Sequence, residues 1–352
     1  MLHYNFTVER QLPYEMALSL AYAGSRGLNL ISNKEGNPPV PQVLPDGRFF
    51  WLGNEPRANP NWLAMQYHTG NINSWFNSLQ FVVRKRLTQG LQFQSAYTWA
   101  KLMDERPGSV VQEGGGSSGT ATSLLPNRLD RGLSDYQAAH SWRFNAIYRL
   151  PEMRVQGVLS KVLNGWWTSG ILTTQTGLPF TTTNTGDRSR SQGAGNLPDL
   201  KPGRNNENIT HGTSTGCIVV NAQGVAQGVP AGTKLGGTER YFDPCAFGLP
   251  EIGTLGNAGR NILIAPGVAN LDFSLVKDTA LGFLGESGKL EFRTEIFNIL
   301  NRANFARPSA AVFPADLRDP TAHTPAALDT AGRITQTDTL SRQIQFALKV
   351  IW

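Results

Sequence analysis

Cysteine, charge and long apolar runs are all scarce in this sequence. Two Cys in 352 residues exclude a disulfide scaffold and a Cys-rich zinc protein. No apolar run reaches the ~18 residues that a membrane-crossing helix needs. The first 30 residues carry no continuous apolar stretch of the secretory-signal kind. Charged residues are only 16% of the chain and Gly numbers 37, a poor fit to a helical bundle or coiled coil. Lys and Arg exceed Asp and Glu by 32 − 26 = 6, an excess too diffuse to imply a nucleic-acid partner.

Chemistry-bearing constellations are equally sparse. The five His are His3, His68, His140, His211 and His323, with no pair at metal-ligand spacing and no His-Glu-x-x-His. Gly-x-Ser-x-Gly occurs twice, around Ser117 and Ser214, but neither copy has the strand before it and helix after it that a nucleophile elbow requires. The series Gly253, Gly256, Gly259 is no dinucleotide fingerprint, and loop flexibility accounts for it. The expectation is no enzyme, no cofactor and no metal.

What is present is a period of two. Residues 14–23 put Tyr14, Met16, Leu18, Leu20 and Tyr22 on one face, and Glu15, Ala17, Ser19, Ala21 and Ala23 on the other. The same alternation runs through 91–100, 142–150, 290–296 and the final residues, and more weakly through 3–9, 75–87, 166–176 and 269–277. Trp166 and Trp167, side by side, leave the facing of their strand open. The mean hydropathy of −0.27 is compatible with a membrane, because alternating strands average out. Nine strands of roughly 9–11 residues suit a bilayer. Their connections alternate in length: short at 11–13, long at 24–73, short at 88–90, long at 102–139, moderate at 151–165 with a helix around Val155–Leu163, very long at 177–267, short at 278–288 and long at 300–340. Short turns at one end and long loops at the other are the asymmetry of an outer-membrane barrel, the short turns being periplasmic.

Three groups of residues stand out. Cys217 and Cys245 share the longest loop, 28 positions apart, and an oxidising compartment favours a disulfide over two unpaired thiols. Glu291, Arg293 and Glu295 share the polar face of one strand, which reads as a salt-bridge ladder lining a wet lumen rather than as an acid–base pair. Ile344, Phe346, Leu348, Val350 and Trp352 alternate to the final residue, so the last strand needs a pairing partner and barrel-assembly machinery to place it. The basic cluster Arg84, Lys85, Arg86, beside a predicted turn, suits contact with anionic headgroups.

Several segments taken in order carry a family resemblance. They are Phe93-Gln94-Ser95-Ala96-Tyr97-Thr98-Trp99-Ala100-Lys101, Gly165-Trp166-Trp167-Thr168-Ser169-Gly170-Ile171-Leu172, Gln175-Thr176-Gly177-Leu178-Pro179-Phe180, Tyr241-Phe242-Asp243-Pro244-Cys245-Ala246-Phe247, Gly256-Asn257-Ala258-Gly259-Arg260-Asn261, Phe292-Arg293-Thr294-Glu295-Ile296-Phe297-Asn298 and Arg342-Gln343-Ile344-Gln345-Phe346-Ala347-Leu348-Lys349. Together they resemble the C-terminal barrel portion of Oar-like TonB-dependent transporters. The resemblance implies a barrel of about 22 strands, with an N-terminal plug and a TonB box that are not recognisable in residues 1–352. It also implies outer-membrane lipids, the TonB system and a large extracellular ligand as partners. The resulting expectation is all-β: an antiparallel up-and-down barrel segment of about nine strands, not competent for transport alone. The alternatives are a small porin-like channel and a soluble secreted β-rich protein that binds carbohydrate through exposed Trp and Tyr.

Overall fold

The computed structural model describes residues 1–105, 126–192, 196–221, 223–285, 288–314 and 326–352. The glycine-rich stretch around Ser117, and His323, lie outside them. Nine long strands form one antiparallel sheet: β1 (Leu2–Leu12), β2 (Met16–Glu35), β3 (Gln66–Thr88), β4 (Leu91–Asp104), β5 (His140–Arg149), β6 (Trp166–Gln175), β7 (Val268–Ala280), β8 (Lys289–Phe297) and β9 (Gln343–Ile351). Each pairs with its neighbours in sequence, so the order is up-and-down from β1 to β9. These two strands are the outer members, and the sheet is not closed into a barrel. All nine alternating segments of the sequence are strands.

The register carries the pattern across the sheet. One row of partners runs Thr7, Ala21, Gln80, Thr98, Ser141, Gln175. The adjacent row runs Val8, Leu20, Phe81, Tyr97, Trp142, Thr174. Directly opposed residues of an antiparallel pair point the same way, so the rows lie on opposite faces, one small and polar, the other apolar. Trp166 pairs with Lys277 on the apolar face, while Trp167 pairs with Arg149 and Val276 on the polar one. That settles the facing the paired tryptophans had left open.

The apolar face is not covered by protein. Phe6 is 70% exposed, and Phe346 and Leu348 each 68%. A continuous face of this kind is far larger than the few hundred Å² that a soluble monomer tolerates, and hydrocarbon is the solvent that suits it. Tyr4 and Tyr22 stack at 6.1 Å on this face toward the long loops, and both phenols donate to Asn77 Oδ1 at 2.7 and 2.8 Å. Tyr4 reaches Asn77 by lying over Gly24, where a Cβ would come within 2.2 Å of the ring.

Turn chemistry closes the short end. Thr88 pairs with Leu91, and the two intervening residues, Gln89 and Gly90, have φ of 52° and 79°. Both are positive, as the twist-matched two-residue hairpin turn requires. The Lys85 ammonium donates to Tyr14 O at 2.9 Å, tying this turn to its neighbour.

Two strands outrun the expectation. β2 and β3 stay paired as far as Glu35 and Gln66, so the predicted 24–73 loop contracts to 36–65. Gly24, Gly27 and the polar residues beyond them break the alternation, yet the backbone ladder continues. Alternation records a hydrocarbon boundary, and it fades where both faces of a strand are wet, while backbone pairing does not.

The two faces should answer differently to a charge. Phe81→Arg, in the middle of the apolar face, is expected to cost about 2–4 kcal/mol at the bilayer midplane, whereas Gln80→Arg on the polar face should be nearly neutral. Denaturant titration of the vesicle-inserted protein would measure both, and equal costs would refute the assignment of faces.

Candidate functional site: the long-loop cap

Long connections are expected to be mobile when nothing packs them. These are packed. A core of Phe180, Ile209, Val219, Phe242, Phe247, Leu263, Val312 and Phe313 sits between the β6–β7 loop and the β8–β9 loop. Short ribbons brace it: residues 179–180 pair with 263–264, and residues 183–184 run parallel to 311–313. Strand Cys217–Val220 lies between Ala226–Val229 and Ala327–Leu328. This is the only large buried apolar cluster among the described residues, because a single-layer sheet has no second layer to pack against.

Cys217 and Cys245 are joined, with Cα atoms 5.5 Å apart. The bond ties strand Cys217–Val220 to the turn Pro244–Ala246. Asp243 caps that turn, accepting from Cys245 N at 3.1 Å. Its carboxylate is fully buried and is met by Arg204 at 2.6 Å and the Ser214 hydroxyl at 2.7 Å. Ser214 is itself buried, so the second Gly-x-Ser-x-Gly copy places its hydroxyl on a structural carboxylate. Nearby, Tyr241 donates to Ile264 O at 2.8 Å, and burial pushes its phenol above the usual range.

The Gly256–Asn261 segment is a junction rather than a flexible loop, which corrects the sequence reading of these glycines. A Cβ on Gly256 would lie 2.0 Å from Leu197 O, and one on Gly253 would lie 2.4 Å from Trp51 O. Asn257 accepts from Leu200 N at 2.7 Å, and its own N–H donates to Asp199 at 2.9 Å. Arg260, 4% exposed, reaches into the β4–β5 loop. Its Nε donates to Asp130 O at 2.7 Å, and its guanidinium pairs with the Asp104 carboxylate and lies 3.7 Å from Asp135. Asn261 adds bonds to Leu133 O at 2.7 Å and Asp135 at 2.6 Å.

The β2–β3 loop joins the same assembly. Trp51, buried, donates its indole N–H to Pro39 O at 3.1 Å, and its backbone N–H bonds Gly253 O at 2.8 Å. Arg57 donates to Gln192 at 2.6 Å, and Arg190 to Leu52 O at 2.6 Å. Described parts of all four long loops are thus cross-linked through the 176–267 connection. At the root of the last loop, Asn298 takes φ of 50°, ending β8, and its side chain bonds Arg302 O at 3.0 Å and Leu340 O at 3.1 Å.

Below the cap, Arg293 lies between Glu291 at 2.9 Å and Glu295 at 3.4 Å on the polar face of β8. Lys289 extends the series to Asp278 at 3.2 Å. On β9, Ile344, Phe346, Leu348 and Val350 point to the apolar face with Phe292 and Ile296, and Phe346 stacks on Phe292 at 6.3 Å. Trp352 follows at 83% exposure. Sequence reasoning did not find Trp51, Arg204, Asp243 or Arg260. The Gly-Asn-Ala-Gly-Arg-Asn and Asp-Pro-Cys signatures held the signal, but nothing in them tells which distant loop they bind.

A one-layer sheet with an unprotected apolar face, a polar face carrying ion pairs, tight turns at one end and a folded cap at the other defines a transmembrane β-barrel wall. The chain belongs to the family described as outer membrane beta barrel domain, which matches residues 1–345. Its place is the bacterial outer membrane. A comparison with the curated proteins found no match.

Removing Arg260 would leave Asp104 without its buried partner. Arg260→Ala is expected to cost about 3–5 kcal/mol locally and to open residues 126–135 to protease while the membrane strands stay protected. Unchanged loop cleavage would contradict the junction. Reduction should release two thiols where none titrates before, and Cys217→Ser should destabilise the cap by about 3 kcal/mol. Free thiols in unreduced protein would refute the bridge.

Proposed function

We propose that this chain is the C-terminal wall and ligand-contacting cap of a TonB-dependent outer-membrane transporter of the Oar-like kind. The observation that carries the reading is the cap. The described parts of four long loops, joined into one body with its own core and disulfide, make a preorganised surface, as capture of a large ligand needs. The open sheet supports it too. Both outer strands present unpaired backbone edges that need partners within the bilayer, as the edges of a wider barrel wall would. In this reading the polar face, with Glu291, Arg293 and Glu295, lines the lumen, and the cap faces outward. Energy arrives through TonB acting on the transporter's plug. In this reading the loops bind ligand, and the chain's role is binding and passage rather than catalysis.

Two measurements test this. An impermeant maleimide should label Asn61→Cys in intact cells, but Glu152→Cys only after the outer membrane is breached; the reverse pattern would overturn the orientation. In planar bilayers the chain alone should give no stepwise conductance. Discrete ion-conducting steps would point instead to a small autonomous channel and end the transporter reading.

A further inference from the structure

The connection between β5 and β6 is too well built for a turn that only reverses the chain. Asn164 clasps its ends: Met153 N donates to Asn164 Oδ1 at 2.7 Å, and Asn164 Nδ2 donates back to Met153 O at 3.0 Å. Between them lies the helix Val158–Leu163. Its sequence is Val-Leu-Ser-Lys-Val-Leu, so at about 100° per residue Val158, Val162, Leu159 and Leu163 fall within one arc, with Ser160 and Lys161 opposite. The apolar arc is not folded inward. Val158 is 79% exposed, and Leu159 and Val162 are each 55% exposed, as is Met153.

The position of this helix says what covers it. Trp166, on the apolar face of the sheet by register, donates its indole N–H to Val162 O at 2.9 Å. Lys277, its partner on that face, sends its ammonium beneath the same indole, 5.8 Å from the ring centre, to the carbonyls of Asn164 and Asp278. The helix therefore hangs from the membrane side of the wall at the short-turn end, continuous with exposed Tyr148 and Leu150. Arg154 and Lys161 are exposed on the same connection, where phosphate headgroups would lie.

We propose that Met153–Leu163 is an interfacial membrane anchor. Its apolar arc is buried at the headgroup–acyl boundary of the leaflet on the short-turn side, and its cations hold anionic lipid headgroups. The anchor rests on membrane insertion of the wall and is independent of the transporter reading. It joins the tight-turn rim to the bilayer through side chains that do not belong to any strand, and it fixes the height of β5 and β6 in the membrane.

Single cysteines at Leu159, Val162, Lys161 and Leu348, each carrying an environment-sensitive fluorophore, test this. The full chain, with its native disulfide intact, is reconstituted in phosphatidylethanolamine–phosphatidylglycerol vesicles. Labels at 159, 162 and 348 should shift to the blue and lose most of their emission to lipid-borne quenchers, while the label at 161 should be quenched by aqueous iodide. Iodide quenching at 159 and 162, with the 348 label still quenched from the lipid, overturns the anchor alone. Loss of lipid quenching at all three positions overturns insertion, and the anchor with it.

Discussion

Every backbone N–H and C=O that enters hydrocarbon must be bonded within the protein, and the rest of this structure follows from that demand. A chain without long apolar runs cannot meet it with helices. A continuous antiparallel ladder can, provided that side chains alternate between lipid and water. Val8, Leu20, Phe81, Tyr97 and Trp142 lie in one row across the sheet, while Thr7, Ala21, Gln80, Thr98 and Ser141 lie in the next. A slip of one residue between any two strands would send the whole apolar set to the wrong side, so composition and register enforce each other.

The same constraint leaves the sheet without a core. A single layer packed by lipid on one side and wetted on the other gives its side chains few protein partners. The apolar burial that a soluble domain concentrates at its centre is found here in the loops. Phe180, Phe242, Phe247 and Phe313 build there what the sheet cannot. The cap is thus a small folded body, stapled by Cys217–Cys245 and neutralised at its centre by Arg204 against Asp243. It is held to the neighbouring loops by Arg260 and Trp51.

The two ends of the sheet face different tasks. At the short end, tight hairpins and exposed apolar groups such as Tyr14, Phe283 and the Val158–Leu163 helix cluster around the rim. At the other end, strands β2 and β3 run on past the apolar band and deliver their loop to the cap. The asymmetry in loop length is therefore also an asymmetry in packing: exposed apolar side chains at one rim, a folded body at the other.

The sequence by itself determined the number of long strands in the main sheet, the facing of nearly every one of them and the parity of the connections. Each is recorded by residues two apart, and a period of two needs only neighbours to be read. It also singled out Cys217, Cys245 and the series Glu291, Arg293, Glu295. Tertiary structure alone decided that the loops are a packed assembly rather than loose connections, that Gly256 lets a backbone approach Leu197, and that Arg260 belongs to Asp104, 156 positions away. Those pairings join residues with no periodic relation. The information lies in shape and charge brought together after the sheet has fixed where each loop begins and ends, and no local pattern in the chain can carry it.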